Sequence, residues 1–225
     1  MIENIKIIPH NRPTMGPLEQ AAASRAIGSG WIATGPETLA FEDELCAYFG
    51  LNSGHAVAVS SGSAALFLAL HALGCGGERV GMPVYSCSAL PNAAAMIGAS
   101  AVYLDCGKNN PNIEVNMSLD SGELPADCST VVLPSMFGLP AVMPSSSAIQ
   151  IVEDVAQAFG ARRNSAPIGL RGDIGICSFY ATKMISSGGQ GGAVISRHKT
   201  LIDQIVDYRN FDNREDDRRR FNFQM

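Results

Sequence analysis

The sequence predicts a three-layer α/β/α sandwich built on a mostly parallel central sheet. Short, almost uninterrupted apolar runs, such as His55–Ser60 and Thr130–Leu133, are typical of strands that are buried on both faces. These runs alternate with segments of helical character, an order that favours parallel strands with helices packed on each side. A chain of 225 residues, 46% of them hydrophobic, is long enough for one large α/β domain or two small ones.

The expected elements follow one another along the chain. A first helix begins near Pro17 and ends at Ile27, where Gly28-Ser29-Gly30 stops it. A second helix covers Glu37–Phe49 and ends at Gly50. Further helices are expected at 64–73, 88–98 and 199–209. Apolar segments with the character of strands lie at 5–8, 55–60, 79–83, 100–105, 130–133, 149–152, 174–180 and 193–195.

A turn rich in hydroxyl groups and glycine, Ser61-Gly62-Ser63, joins the strand at 55–60 directly to the helix at 64–73. The start of a helix combines unpaired backbone N–H groups with the positive end of the helix dipole, and both favour an anion such as phosphate. An ordinary serine N-cap explains the same residues equally well. The turn by itself therefore leaves both interpretations open.

Polar residues follow several of the expected strands. Asp154 ends the strand that contains Ile151-Val152, Ser61 follows the strand at 55–60, and Tyr85 follows the strand at 79–83. In sheets of this class ligands bind beyond the carboxyl ends of the strands. We therefore expect these three segments to converge on one edge of the sheet.

The stretch Ser178–Lys183 places a lysine between an apolar run and the glycine-rich turn Ser187–Gly192. An amine among apolar groups is poorly solvated, so its neutral, nucleophilic form becomes accessible. Such an amine can attack a carbonyl group and form a Schiff base. Considered alone, the stretch is more often a surface lysine at the end of a strand.

The composition argues against several classes of protein. The net charge of −5 is unfavourable for a general nucleic-acid binder. No apolar run is long enough to cross a bilayer, and residues 1–6 lack the basic and apolar regions of a signal peptide. The six cysteines contain no C-x-x-C pair, and the four histidines show no metal-ligand spacing. We expect a cytoplasmic protein with reduced thiols and no metal.

Seven short segments occur in one order along nearly the whole chain, at 30–36 (GWIATGP), 61–66 (SGSAAL), 153–160 (EDVAQAFG), 172–175 (GDIG), 178–183 (SFYATK), 191–193 (GGA) and 221–225 (FNFQM). Each is weak alone, but the ordered set is specific. The set resembles the DegT/DnrJ/EryC1/StrS family, the sugar aminotransferases of fold type I that use pyridoxal 5′-phosphate. The resemblance implies the large cofactor-binding domain of that fold.

The resemblance assigns chemical roles to three residues. Lys183 is implied to be the catalytic lysine that binds the cofactor covalently. Asp154 is implied to pair with the pyridine nitrogen, where a carboxylate keeps that nitrogen protonated and lets the ring take up electrons. A helix-capping role is the alternative for Asp154. Gln157 is implied to bond the hydroxyl group of the ring.

The resemblance also implies how the phosphate is held. Gly62 and Ser63 match the phosphate-binding turn of the family, and Ser178 joins them. Asn222 matches an asparagine that reaches the phosphate in the neighbouring subunit. A homodimer with composite active sites is therefore implied.

Two positions depart from the family pattern. Cys87 occupies the position where the family usually places an aromatic residue over the cofactor ring. A thiol can pack on the ring face, although its stacking is weaker, and Tyr85 is a second candidate for covering the ring. Ser135 replaces a histidine that is common before the Tyr-Gly or Phe-Gly step, here Phe137-Gly138.

Residues 1–225 correspond to an N-terminal segment and the large cofactor-binding domain of the family, and the smaller C-terminal domain is expected to be absent. The chain is then a fragment or a shortened member. The implied function is transfer of an amino group, from glutamate in most relatives, to a nucleotide-linked keto-sugar. The pathway would supply sugars for surface polysaccharides or secondary metabolites.

Two other classes of function compete with this interpretation. A truncated, non-catalytic member of the family would bind the cofactor and serve a regulatory role. A plain dinucleotide-binding domain is disfavoured because no G-x-G-x-x-G follows the first strand. The lysine at position 183 argues against the sugar dehydratases related to the family, which have histidine there.

Overall fold

The computed structural model describes residues 8–9, 11–113, 124–125, 127–144, 148–210 and 222–224. All five predicted helices are present, and their ends differ from the expected ones by at most two residues. They are α1 (Pro17–Gly28), α2 (Pro36–Phe49), α3 (Gly62–Ala72), α4 (Ala89–Met96) and α5 (Lys199–Arg209). The apolar segment expected at 5–8 lies outside the described residues, apart from Ile8.

Nine strands are found in the described part of the chain. They are β1 (Ala56–Val59), β2 (Arg79–Pro83), β3 (Ser100–Leu104), β4 (Cys128–Pro134), β5 (Gln150–Asp154), β6 (Arg162–Arg163), β7 (Ala166–Pro167), β8 (Ile174–Ser178) and β9 (Gly192–Ile195). Seven of them form one sheet in the order β1-β9-β8-β5-β4-β2-β3. The other two, β6 and β7, form a separate short hairpin that the sequence analysis does not predict.

The central sheet is mostly parallel, as predicted. Parallel pairing joins β3 to β2, β2 to β4, β4 to β5 and β5 to β8. Only β9 breaks the pattern, because it runs antiparallel to both of its neighbours, β8 and β1. The segment between β8 and β9 contains no helix, and a parallel return usually needs a crossover helix. The glycine-rich segment therefore connects β8 directly to its antiparallel neighbour β9.

One face of the sheet is covered by α3, α4 and α5. Residues 64–70 of α3 are all buried, which fits a helix that is apolar on every side. Their side chains pack against an apolar layer contributed by the strands: Val57, Val59, Val80, Met82, Val132, Val152, Ile174, Ile176 and Val194. Helix α3 thus lies mainly over β8 and β9.

The second face is covered in two different ways. Over β8 and β9, α2 contributes Leu45, Cys46 and Phe49 to the core. Over β2 to β5, the cover comes from residues of connecting segments, including Ile113 and Ala141. The predicted three-layer α/β/α arrangement is confirmed, with its third layer helical over one half of the sheet.

The described residues also bear on the predicted class of protein. None of the six cysteines is paired with another cysteine. Within the described ranges, no helix combines the length and apolar character needed to cross a membrane. The same residues contain no group of three or more His, Cys, Asp or Glu side chains that could hold a metal ion.

Candidate active site

The carboxyl ends of three strands meet at one edge of the sheet. Because β1 and β8 are both antiparallel to β9, they run in the same direction, and β5 is parallel to β8. A cavity of about 250 Å³ opens at this edge. It brings together six of the eight predicted site residues: Gly62, Ser63, Cys87, Asp154, Ser178 and Lys183.

One end of the cavity is the start of α3. The Ser61 side chain accepts a hydrogen bond from the Ala64 backbone N–H at 3.1 Å, so Ser61 is an N-cap, as one of the two interpretations expected. The amides of Gly62 and Ser63 belong to the first turn, whose N–H groups have no partner within the helix. The cap and an anion site are therefore compatible, because they use different amides.

Gly62 lets Ser178 approach the start of the helix closely. A Cβ atom at Gly62 would lie 2.7 Å from the Cβ of Ser178 and 2.9 Å from its Oγ. No side chain larger than hydrogen fits without displacing the last residue of β8. The Ser178 hydroxyl is consequently held beside the first turn of α3.

Asp154 lies at the end of β5, and only 6% of it is exposed. Its Oδ1 accepts a hydrogen bond from the Ala156 backbone N–H at 2.8 Å. Burial raises the pKa of Asp154 to about 6, while the Ala156 bond and the nearby positive charge of Lys183 act in the opposite direction. A buried carboxylate of this kind is stabilised by a cation placed in the cavity beside it.

Glu153, the neighbour of Asp154 in β5, fixes this end of the strand. Its side chain is fully buried and accepts hydrogen bonds from the Arg171 Nε at 2.7 Å and the Arg171 backbone N–H at 2.9 Å. Arg171 also donates from Nη1 to the Ala141 carbonyl at 2.9 Å. The two members of this pair are 18 residues apart, so no local pattern links them.

Lys183 lies half-buried on the loop that leaves β8. Its backbone N–H donates to the Tyr180 carbonyl at 2.8 Å, and the Ala181 N–H donates to Gly189 at 3.0 Å. The Phe179 N–H donates to Gly191 at 2.9 Å. These bonds tie the lysine loop to the glycine-rich segment, so the glycines hold the lysine over the cavity.

A second, larger cavity of about 980 Å³ adjoins the first at Lys183 and Ala156, which line both. Gln157 lines this second cavity and not the first. Its Oε1 accepts a hydrogen bond from the Phe137 backbone N–H at 3.3 Å. Gln157 also borders a recess of about 30 Å³ together with Cys87, Asp154 and Lys183. It therefore lies next to the predicted ring site, between the two cavities.

Cys87 is exposed and lines the first cavity just before α4, near Ala89 and Leu90. Tyr85, the other candidate for covering a ring, is not among the described residues that line this cavity. The centroid of its ring lies 6.3 Å from the centroid of the Phe137 ring. Of the two candidates, Cys87 is the one next to Asp154 and Lys183.

Asn222 is exposed and is also absent from the described lining of the cavity. The next residue, Phe223, is docked beside the end of β1, where its carbonyl accepts a hydrogen bond from the Ser60 N–H at 3.0 Å. The Phe223 ring is stacked on Phe67 of α3, with ring centroids 5.1 Å apart. A role of Asn222 in a neighbouring subunit stays a prediction.

Two polar lining residues were not singled out from the sequence, namely Tyr180 and Gln190. Both lie inside stretches that the sequence analysis did recognise, Tyr180 before the lysine and Gln190 within the glycine-rich turn. Their proximity to Lys183 in the chain was the available signal. Both residues reach the cavity because the lysine loop is hydrogen-bonded to the glycine-rich segment.

The comparisons with known proteins identify one family. Residues 13–225 match the family described as the DegT/DnrJ/EryC1/StrS aminotransferase family. The spore coat polysaccharide biosynthesis protein SpsC of Bacillus subtilis is 33% identical over 88% of this chain and 51% of its own length. A dTDP-3-amino-3,4,6-trideoxy-alpha-D-glucose transaminase of Streptomyces venezuelae is 34% identical over 87% of this chain and 52% of its own length.

A solved structure supports the same conclusion about the fold. DesV of S. venezuelae matches with a TM-score of 0.80 and 30% identity, covering 92% of this chain and 58% of that one. The chain spans about half the length of the curated relatives it matches.

Proposed function

The chain belongs to the DegT/DnrJ/EryC1/StrS aminotransferase family, and we propose that it is the cofactor-binding part of a pyridoxal 5′-phosphate-dependent sugar aminotransferase. The proposed reaction moves an amino group from an amino-acid donor, glutamate, to a keto group on a nucleotide-linked sugar. The names of two relatives, one in spore coat polysaccharide biosynthesis and one acting as a dTDP-amino-sugar transaminase, support this substrate class.

One observation carries the proposal. A single cavity is lined by the start of α3, by the buried Asp154 and by Lys183. An elongated molecule with an anionic group at one end, a basic ring nitrogen and an aldehyde would find a matching partner for each of its groups. The residues present therefore fit pyridoxal 5′-phosphate.

Different residues of the chain would bind different groups of this molecule. The amides of Gly62 and Ser63, with the Ser178 hydroxyl, would bind the phosphate at the helix start. Asp154 would bind the ring nitrogen, Gln157 the ring hydroxyl, and Cys87 would cover one ring face. When bound, the cofactor supplies a carbonyl group that condenses with amines and a ring that takes up electrons.

Lys183 would act twice. Its Nζ would hold the cofactor and, once freed as a neutral amine by the amino donor, would take up a proton and give it back as general base and general acid. The negative charge of Asp154 supports this chemistry, because a carboxylate favours the protonated state of a basic nitrogen beside it.

A partner subunit is part of the proposal. The segment that carries Asn222 is anchored next to the end of β1, through the bond from Ser60 to Phe223. This end of β1 leads into the phosphate-binding turn. We propose a homodimer in which Asn222 contributes to the phosphate site of the other subunit.

The proposal is tested by mapping the attachment site. The full chain is loaded with pyridoxal 5′-phosphate, reduced with borohydride and digested, and the label is expected on the peptide that contains Lys183. Lys183→Ala is the matched control and should carry no label. A label on Lys199 or Lys108 instead would refute the assignment.

A second measurement separates an enzyme from a binding protein. Glutamate is added to the loaded chain, and the visible absorbance of the bound cofactor is followed. Loss of the band supports the aminotransferase. A chain that retains the cofactor but responds to no amino acid would support the non-catalytic alternative.

A further inference from the structure

Phe137 has a backbone conformation that is unfavourable for its side chain. Its φ is 54° and its ψ is 30°, which is the left-handed helical region that bulky L-residues avoid. Two other non-glycine residues with positive φ, Asn164 and Ser165, join β6 to β7, where a hairpin turn requires such angles. Phe137 lies in no hairpin, so its conformation needs a different explanation.

The surrounding structure imposes this conformation. The side chain of Asn112, which is only 1% exposed, accepts a hydrogen bond from the Met136 N–H at 2.8 Å and donates to the Leu139 carbonyl at 2.9 Å. One buried side chain thus holds the backbone on both sides of Phe137. The bond from the Phe137 N–H to Gln157 adds a third restraint. Strained residues that are fixed in this way are concentrated at ligand sites.

The strained residue does not serve the core. The Phe137 side chain is 63% exposed, and it lines the second cavity together with Phe159, Met184 and Lys183. Among the described residues that line this cavity, Lys183 is the only charged one. Apolar and aromatic walls with few polar groups are typical of sites for small organic ligands.

We propose that Phe137 is a specificity-determining residue whose ring packs against the sugar ring of the nucleotide-linked substrate. The inference rests on the proposed function and extends it to one half of the reaction. An aromatic face offers a large, rigid contact area, which suits the C–H face of a sugar. It offers little to the carboxylates of an amino-acid donor, so the contact distinguishes the two substrates of Lys183.

The experiment compares two amines on the same loaded chain. Glutamate and dTDP-3-amino-3,4,6-trideoxy-alpha-D-glucose, the sugar named for one relative, are each added, and the rate at which the visible absorbance falls is measured. Phe137→Asn removes the ring, and asparagine tolerates left-handed angles. We expect the rate constant with the amino sugar to fall about tenfold or more, equivalent to the loss of one good contact, with the glutamate rate unchanged.

Four further measurements test the role of the ring itself. Phe137→Tyr keeps the ring and should retain the amino-sugar rate. Leu139→Asn is the matched control, because Leu139 is an exposed apolar residue of the same loop that does not line the second cavity. The thermal midpoint of Phe137→Asn should equal or exceed that of the unchanged chain, because the backbone strain is relieved. Calorimetry should show weaker binding of the amino sugar to this variant without cofactor.

The outcomes are distinct. If the unchanged chain reacts with neither amine, the proposed function fails and the inference fails with it. If the unchanged chain reacts with both and Phe137→Asn keeps its amino-sugar rate and affinity, the inference alone is overturned. A loss of both rates together with a lower thermal midpoint would assign Phe137 a structural role instead.

Discussion

A Cβ atom added to Gly192 would lie 2.3 Å from the carbonyl oxygen of Ser61. Gly192 begins β9 and pairs with Val59 on one side and Ser178 on the other. The same Cβ position is 2.7 Å from the Gly62 nitrogen. The first residue of β9 is thus packed directly against the turn that starts α3, and it must be a glycine for the two backbones to meet.

Gly192→Ala is expected to impair phosphate binding specifically. A methyl group at position 192 would overlap backbone atoms of Ser61 and Gly62. Backbone atoms cannot rotate out of the way as the end of a flexible side chain can, so the whole turn has to shift. The Kd for pyridoxal 5′-phosphate should rise about tenfold, or about 1.4 kcal/mol, while the Kd for pyridoxal, which lacks the phosphate, stays the same.

Gly189→Ala is the matched control for that change, because nothing lies within 4 Å of the Cβ position of Gly189. It should bind both compounds as the unchanged chain does. Equal weakening of both compounds by Gly192→Ala would point to general unfolding instead of a local displacement of the Ser61-Gly62 turn.

Asp154→Asn is expected to stabilise the cofactor-free chain above pH 6. The folded-state pKa of Asp154 is raised from 3.8 to about 6, so ionising it costs the folded state about 2–3 kcal/mol relative to the unfolded state. This cost is absent below pH 4, where both states are protonated, grows from pH 4 to pH 6, and is constant above. Asparagine stays neutral and avoids it.

Urea unfolding of both proteins at several pH values measures this difference. The gain of Asp154→Asn should vanish near pH 4. With the cofactor bound, the order should reverse, because the carboxylate then has a cationic partner and the amide does not attract it. A pH-independent difference between the two proteins would contradict the burial argument.

Arg171→Ala is expected to destabilise the fold by about 3–5 kcal/mol, because it leaves the fully buried Glu153 carboxylate without its partner. Arg79→Ala is a suitable comparison, since the Arg79–Asp127 pair is 43% and 63% exposed. Exposed pairs of that kind contribute little to stability, because solvent screens them. Free energies of unfolding from urea titrations should separate the two variants clearly, and similar losses would show that the buried pair is not special.

Phe223→Ala is expected to cost about 3–5 kcal/mol of folding free energy. The side chain is 7% exposed and is stacked on Phe67, so its removal leaves a cavity beside α3. Tyr103→Ala, which truncates an aromatic side chain that is 57% exposed, is the control and should change stability little. If Phe223→Ala unfolds at the same urea concentration as the unchanged chain, the docked segment contributes nothing to the fold.

Much of this molecule is readable from local patterns. The apolar runs and the helix-stopping glycines predicted all five helices to within two residues. The order of strands and helices also predicted that Ser61, Asp154 and Tyr85 would meet at one edge, and the first two line the cavity there, whereas Tyr85 is not among its described lining residues. These features depend on burial and on backbone preferences that act over a few residues, so the sequence of each segment contains the required information.

The tertiary structure decided the rest. The antiparallel position of β9, the contact of Gly192 with Ser61 and the clamp of Asn112 on the backbone around Phe137 all join residues that are far apart in the chain. No local preference predicts these partners, and for Phe137 the local preference points to a different conformation. Local patterns were enough for the five helices and the strands of the main sheet, whereas the packing of the whole chain set which backbones touch and where strain is held, because such contacts depend on the position of every layer.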